Sequence, residues 1–330
     1  MGNIRPSFIF IFLIIILVVL FFCDLGVGSV SLPISEIYSH VVGSANSDMS
    51  TGIIINIRLI KAVVALLAGS ALSVSGMQMQ TLFRNPLAGP YVLGISSGAS
   101  LGVALFVLGM PLAGLSASSF PLGLAGAAWI GAAIVLFIMS VLSQRIKDIM
   151  VILILGMMFS SGISAVVQIL QYISRDEALK AFVIWTMGSL GDVTSSELPL
   201  LFIAVLSGLL CAVFTVKPLN QLILGEEYAV TMGLNIKKTR GLLFTSTTLL
   251  AGTITAFCGP IGFIGLAMPH ITRMIFDTSD HRLLLPGNIL TGAIILIICD
   301  ILSKIFLIPI NAVTSLIGIP VIVLIVLRNR

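Results

Sequence analysis

Long apolar segments recur along the whole chain, and this pattern constrains the fold more than any other feature. Hydrophobic residues make up 58% of the 330 residues, and only 9% are charged. A helix needs about 20 apolar residues to cross the hydrocarbon core of a bilayer. Within lipid, only helices and closed barrels satisfy their own backbone polar groups. We therefore predict an all-α integral membrane protein that forms one transmembrane domain over residues 1–330.

Nine apolar segments are candidates for membrane spans, and a tenth is shorter. The tenth, Ile261–Ile275, contains Pro269 and would be rejected on hydropathy alone. The predicted spans are Phe8–Leu25, Leu59–Leu82, Tyr91–Leu108, Phe120–Leu142, Ile149–Tyr172, Leu198–Val216, Gly241–Phe257, Ile261–Ile275, Leu285–Leu302 and Val313–Leu327.

The distribution of Lys and Arg decides between nine spans and ten, because these residues favour the cytoplasmic side. Nine spans would put Arg328 and Arg330 outside, so we predict ten spans with both termini in the cytoplasm. The short span Ile261–Ile275 would then be shielded by its neighbours. In this topology the inner side carries Arg5, Arg84, Arg145, Lys147, Lys217, Lys237, Lys238, Arg240, Arg273, Arg282, Arg328 and Arg330, and the outer side carries Arg58, Lys61, Arg175, Lys180 and Lys304.

Residues that could carry chemistry are too dispersed to form a catalytic or metal site. His40, His270 and His281 fall on separate loops or span ends, and the four cysteines show no CxxC spacing. The 17 Lys and Arg residues form no basic patch, which argues against nucleic-acid binding. No phosphate loop ending in GKS or GKT is present. We assign no catalytic residue, metal or cofactor to this chain, so any ATP and Mg²⁺ would be bound by a partner chain.

The segment from Lys217 to Arg240 is a polar island between two predicted spans. Gly225, Ala229 and Gly233 recur at four-residue spacing, which predicts a stripe of small residues on a short helix that could pack closely against a partner. Two acidic residues at the start of that helix would suit its dipole. The alternative is a solvated loop that only joins two spans. The charged residues of the island are Lys217, Glu226, Glu227, Lys237, Lys238 and Arg240.

Polar residues on the fifth predicted span share one helical face. Ser161, Ser164, Gln168 and Gln171 follow each other at spacings of three or four, with Met157 one turn inward. Serine hydroxyls in membrane helices often bond their own backbone, but a primary amide is costly to bury without a partner. We therefore favour a polar translocation path along this face.

Asp300 lies within the ninth predicted span, four residues before Lys304, so that the two side chains can pair along the helix. Charges within a membrane are candidates for function, although an ion pair can also serve only to make insertion tolerable. Together with Arg58 and Lys61, Lys304 would give the outer surface a positive cluster. An acidic partner could dock there.

Two outer segments have a character of their own. Ser31–Ile37 looks like a short capped helix on the outer surface. The segment 173–197 contains Ala181–Leu190, which is too short to span and carries Trp185, a residue that prefers membrane interfaces. We interpret it as a short re-entrant helix that lines an outer vestibule.

A faint internal repeat suggests two inverted halves of five helices each. The segments Ala68–Pro86 and Ala251–Pro269 align without gaps and share Ala, Gly, Gly and Pro. The second predicted span runs inward and the seventh outward, as inverted repeats require. Chance similarity of four small or helix-breaking residues is the alternative.

Four motifs occur in order along nearly the whole chain. They are RNPLAGPYVLGISSGASLG (Arg84–Gly102), the helix Gly225–Gly233, GPIGFIGLAMPHITR (Gly259–Arg273) and DHRLLLPG (Asp280–Gly287). Together they resemble the permease subunits of type II ABC importers, which take up ferric siderophores, haem and cobalamin. The resemblance implies a multi-pass protein of a bacterial or archaeal plasma (inner) membrane, with ten spans and no enzymatic activity of its own.

The resemblance also implies partners and site residues. The permease would form a homodimer that moves substrate by alternating access between the two copies, mainly along the fifth span. Two cytoplasmic ATPase subunits would dock at Gly225–Gly233, and an extracytoplasmic substrate-binding protein would contact Arg58, Lys61 and Lys304. The family's inner gate corresponds to Asp148, Ile149 and Met150. Two of the three docking cations are Lys where the family often has Arg.

Two other function classes stay open on the sequence. A secondary transporter driven by an ion gradient would place coupling carboxylates near the membrane midplane, where only Asp300 is a candidate. A membrane-embedded enzyme would need clustered acids or histidines, which the sequence does not show.

Overall fold

Helices make up nearly all of the protein as described by the computed structural model, which covers residues 6–28, 49–112, 123–146 and 148–328. No strand occurs in these ranges, so the all-α prediction is confirmed for them. The helices are Pro6–Gly26 (α1), Met49–Phe83 (α2), Ile95–Leu112 (α3), Gly123–Arg145 (α4), Ile149–Ile173 (α5), Asp176–Thr186 (α6), Leu198–Ile223 (α7), Glu226–Thr231 (α8), Ile236–Cys258 (α9), Ile264–Phe276 (α10), His281–Phe306 (α11) and Ile310–Arg328 (α12).

Among the described residues, eight helices are long and apolar enough to cross a membrane. They are α1 to α5, α7, α9 and α11, and each overlaps a predicted span. The two remaining predicted spans correspond to α10, which has 13 residues, and to α12, whose apolar part Ile310–Leu324 is also short. The exact number of crossings and the side of the termini stay predictions.

Helix α2 lies at the centre of the bundle and packs against α1, α7, α9, α10 and α11. Two glycines allow the closest approaches. A Cβ atom at Gly69 would collide with the Gly292 carbonyl of α11, and one at Gly76 would collide with the Gly265 carbonyl of α10. Small residues at such crossings let helix backbones approach closely in a membrane, where packing drives association.

The chain breaks sharply between α9 and α10, on the predicted outer side. Gly259 and Phe263 adopt φ values of 73° and 66°, which only glycine adopts without strain. A Cβ atom at Gly259 would lie 2.5 Å from the Trp185 carbonyl oxygen of α6. The Tyr91 hydroxyl donates a hydrogen bond to the Ile261 carbonyl at 3.0 Å. The break thus anchors α6 and lets the short helix α10 enter the bundle.

The outer segment 173–197 does contain a short helix, but its bounds differ from the predicted ones. Helix α6 begins at Asp176, because two acidic residues in its first turn suit the helix dipole. It ends at Thr186, shortly before Gly188 at φ 72°. Trp185 is buried against the bundle, with 7% of its surface exposed. The predicted surface helix Ser31–Ile37 lies outside the described residues.

The aligned segments Ala68–Pro86 and Ala251–Pro269 are not structurally equivalent along their length. The first runs continuously through α2 as far as Phe83. The second covers the end of α9, the break at Gly259 and the start of α10. This alignment therefore gives no support to two inverted halves, which stay a prediction.

Candidate functional site

The polar island of the sequence becomes a short cytoplasmic loop in the predicted topology. Its ends belong to α7 and α9, so that residues 224–235 alone connect the two helices, with the six-residue α8 inside. We call residues 224–235 the coupling loop.

The predicted stripe of small residues is wrong. Gly225 and Gly233 lie outside α8, at φ 118° and 82°, where glycine relieves backbone strain. A Cβ atom at Gly225 would also lie 2.9 Å from Arg84 Nη2. Ala229 is fully buried and faces the protein. These three residues shape the coupling loop from within, and their part in ATPase coupling stays a prediction.

Large apolar side chains, in contrast, project from the coupling loop. Tyr228 is 69% exposed, although it lies on a loop predicted to face the cytoplasm. Several exposed large apolar side chains on one short loop in water indicate an interaction site. Its members, which we call the apolar patch, are Leu224, Tyr228, Val230 and Met232, all between 46% and 69% exposed.

The two acidic residues of the coupling loop have different surroundings. The Glu226 carboxylate accepts a hydrogen bond from Arg240 Nη2 at 2.8 Å, and its side chain is 32% exposed. Glu227 is exposed and forms no ion pair within the described residues. Glu226 is therefore engaged mainly in an ion pair within the protein, whereas Glu227 is accessible to a partner.

A cavity of about 470 Å³ separates the coupling loop from the start of α5. Arg84 and Ile149 line it together with Glu226, Glu227 and Tyr228 of the loop. Ile149 is one of the three predicted gate residues. The cavity thus places the loop and the gate region side by side.

The predicted gate lies at the first turn of α5. The Asp148 carboxylate caps this helix by accepting a hydrogen bond from the Met150 backbone N–H at 2.8 Å. Met150 is 47% exposed. The sequence motif thus corresponds to a helix start, and its gating role stays a prediction.

The polar face of α5 is exposed in the single chain. Ser161, Ser164 and Gln168 are exposed, whereas Gln171 is half-buried. The Ser161 hydroxyl donates to the Met157 carbonyl at 3.0 Å, so its polarity is satisfied locally. The Gln168 amide has no hydrogen-bond partner among the described residues. An amide in that state is not stable against lipid, so this face needs water or a partner chain.

The three predicted docking cations lie near each other but point largely into the protein. Arg58 is 8% exposed, and its Nη1 atom donates to the Leu25 and Gly26 carbonyls at 3.0 and 3.3 Å. Lys61 and Lys304 form an ion network with two carboxylates, Asp24 and Asp300, which are both fully buried.

The ion network joins three helices. Lys304 Nζ lies 2.8 Å from Asp300 Oδ2 on its own helix, which confirms the predicted pairing, and 2.8 Å from Asp24 Oδ1 on α1. Lys61 Nζ on α2 lies 3.0 Å from Asp300 Oδ1. Only Lys61, with 24% of its side chain exposed, offers charge to a partner. The expected positive surface is therefore mostly an internal network.

A second polar cluster ties the end of α7 to the start of α11. His281 Nδ1 and the His281 backbone N–H donate to Asn220 Oδ1 at 2.7 and 2.9 Å, and Thr81 Oγ1 of α2 lies 2.9 Å from Nε2. The Asn220 amide donates to Asp280 at 2.6 Å. Hydrogen bonds from the Arg282 backbone N–H and then from Asn220 lower the pKa of the Asp280 carboxyl below its ordinary value.

Sequence reasoning did not single out Asp24 or Asn220, and it named Arg240 only as one of the charged residues of the polar island. Asp24 had a visible signal, because it is the one charged residue of the first predicted span. Asn220 and Arg240 acquire their partners only through the fold. Among the described residues, no group of three or more His, Cys, Asp or Glu side chains could hold a metal ion.

Comparison with known proteins places this geometry in a family. The model of the FecCD transport family matches residues 16–328. The chain belongs to the FecCD transport family. One family relative, the hemin transport system permease protein HmuU of Yersinia pestis, is 36% identical and covers 100% of this chain and 98% of its own length. The vitamin B12 import system permease protein BtuC of Salmonella paratyphi A is 38% identical over 83% of each chain.

A solved structure has the same fold over almost the whole chain. It is an inward-facing conformation of a metal-chelate type ABC transporter, with a TM-score of 0.83 and 29% identity. The match covers 98% of this chain and 99% of the other. The resemblance of the motifs to ABC permeases is thereby confirmed, and the chain is a multi-pass transport protein of the FecCD family.

Proposed function

We propose that this chain is the membrane-spanning permease subunit of an ATP-driven importer for a bulky metal complex, such as a ferric siderophore, haem or cobalamin. Membership of the FecCD family carries the proposal, and relatives named as hemin and vitamin B12 permeases support the substrate class. Because the sequence has no phosphate loop, a separate chain would bind and hydrolyse ATP.

The apolar patch supports a cytoplasmic partner. Two ATPase subunits would dock on the coupling loops of two permease copies, with the patch as the contact and Glu227 at its edge. Exposing apolar residues to lipid costs a membrane protein nothing, but exposing them to water on a loop is unfavourable. Partner binding would therefore cover the patch.

The exposed polar face of α5 supports a second copy of this chain. Two copies facing each other along α5 would enclose Ser161, Ser164 and Gln168 in a shared path from which lipid is excluded. Ten spans with both termini in the cytoplasm would put Met150 at its inner end. Alternating access would then open and close the path at the inner gate. A substrate-binding protein would deliver the complex from outside. The membrane would be a bacterial or archaeal plasma membrane.

A secondary transporter driven by an ion gradient is the less favoured alternative. Its best candidate for a coupling carboxylate, Asp300, is held by two lysines at 3.0 and 2.8 Å. A carboxylate in this state is a poor carrier of a mobile ion. A membrane enzyme is disfavoured by the dispersed acids and histidines.

Uptake by cells tests the substrate class and the energy source together. A strain that lacks this chain is supplied in turn with labelled haem, cobalamin and ferric siderophore, with and without the plasmid-borne chain. We expect restored uptake of one complex, which persists when the proton gradient is collapsed and stops when ATP is depleted. Restored uptake that follows the proton gradient while ATP is constant would favour the secondary transporter.

Replacing Gln168 by Leu is expected to lower the uptake rate by roughly tenfold without loss of folded protein, because the path loses an amide that can contact polar substrate or water. Ile169→Val, on the neighbouring exposed position of α5, is the matched control and should leave uptake within about twofold. Undiminished uptake by the Gln168 variant would show that the path lies elsewhere.

A further inference from the structure

One buried guanidinium joins three separate segments on the cytoplasmic side. Arg240 belongs to α9 and is 3% exposed. Its Nη2 atom donates to Glu226 Oε1 at 2.8 Å, at the first residue of α8. Its Nη1 atom donates to the Ile146 carbonyl at 2.9 Å and lies 3.5 Å from the Ser143 carbonyl, both at the end of α4.

The end of α4 suits such a cation. The last carbonyls of a helix have no partner within it and carry the negative end of the helix dipole. Arg240 reaches one of these carbonyls, that of Ser143, and the Ile146 carbonyl one residue beyond the helix, while its other terminal nitrogen holds a carboxylate. Because a guanidinium is rigid and presents its donors in a fixed fork, a shift of Glu226 moves the Ile146 contact with it.

The chain leads directly from this contact to the predicted gate. Ile146 lies two residues before Asp148, the residue that caps α5. Two residues span about 7 Å at most. A large displacement of Ile146 must therefore also move Asp148 and the start of α5. The cavity between Ile149 and the coupling loop leaves the first turn of α5 space to move.

We propose that Arg240 is a positioning residue that transmits displacement of the coupling loop to the start of α5. The inference rests on the proposed function, since an ATPase subunit must supply the displacement. Arg240 contacts neither substrate nor nucleotide; it acts through Glu226 on one side and the α4 carbonyls on the other.

Two labels separate movement of the loop from movement of the gate region. Single cysteines replace Thr231, which is exposed on α8 outside the apolar patch, or Met150 in the first turn of α5. The accessible Cys23 and Cys211 are changed to Ser, and the buried Cys258 and Cys299 remain. Each variant carries a spin label in the complete transporter, and the spectral change on adding a non-hydrolysable ATP analogue is measured.

Arg240→Gln is expected to reduce the response at position 150 by roughly 2- to 30-fold, the range seen when a coupling contact is lost, while the response at position 231 persists. Arg240→Lys should not restore it, because one ammonium cannot span the carboxylate and both carbonyls. Glu226→Gln retains Arg240 and its contacts with α4, so it tests the same link if Arg240→Gln fails to fold. We expect it to weaken the response at position 150 as well. Arg282→Gln and Asp277→Asn remove exposed cytoplasmic charges and serve as matched controls.

The outcomes separate two failures. Equal responses at position 150 in the wild type, Arg240→Gln and Glu226→Gln would overturn the role of Arg240. Full restoration by Arg240→Lys would show that charge alone matters, which also contradicts a bridging role. Absence of any nucleotide response at position 231 in the wild type would instead count against the ATPase partner, and so against the proposed function.

Discussion

Replacement of Tyr228 by Asp is expected to weaken association with the proposed ATPase subunits by roughly 30-fold or more and to reduce uptake in proportion. Tyr228 is the most exposed member of the apolar patch, and exposed tyrosines often carry a large share of binding energy at an interface. Adding a charge there would force desolvation of a carboxylate in the complex. Co-purification of the ATPase with detergent-solubilised permease measures the effect.

The change should leave the permease itself folded, because Tyr228 is 69% exposed. Lys237→Glu, an exposed charge reversal in the first turn of α9 just after the coupling loop, is the control and should retain the ATPase within about twofold. Normal ATPase recovery with Tyr228→Asp would remove the apolar patch from the interface. Bulky replacement of Ala229 is less informative, since that buried side chain would disturb the loop from within.

Asp300→Asn is expected to destabilise the protein by about 3 to 5 kcal/mol, because it removes the carboxylate that pairs with Lys61 and one of the two that pair with Lys304. Asp300 is fully buried and is the carboxylate shared by Lys61 and Lys304. After the change, Asp24 alone remains as a carboxylate of the network. The midpoint of thermal unfolding in detergent should fall by roughly 4 to 7 °C.

A second substitution tests the cause of this loss. Lys61 pairs with Asp300, whereas Lys304 keeps Asp24 as a second partner at 2.8 Å. Adding Lys61→Met to Asp300→Asn should therefore recover most of the lost stability, because the remaining Lys304–Asp24 pair is balanced. Glu177→Gln, at an exposed acid in the first turn of α6, should change the midpoint little. A single Asp300→Asn variant as stable as this control would show that the network contributes nothing.

Hydropathy placed the helices well because the requirement for about 20 apolar residues is local. It could not set helix ends inside the polar island, where α7 and α9 extend into segments that carry charge. Spacing alone also misread Gly225 and Gly233. Four-residue spacing fits a helical stripe, but the same glycines can stand at positive φ on either side of a short helix, and only the backbone distinguishes the two.

Partners distant in sequence explain the other differences. Lys304 was predicted to pair with Asp300 four residues away, and it does. Its second partner, Asp24, is 280 residues distant, so no local pattern could show that Lys304 is neutralised from within the protein. The contact between Arg240 and Ile146 is hidden for the same reason.

Reconstitution of purified components tests the central claim most directly. The permease, its ATPase and its substrate-binding protein are assembled in liposomes, and accumulation of the loaded metal complex is measured with ATP on the ATPase side, without ATP, and with an imposed proton or sodium gradient. The account predicts accumulation only with hydrolysable ATP, at a rate unaffected by ionophores. Accumulation driven by an ion gradient in the absence of ATP would contradict it.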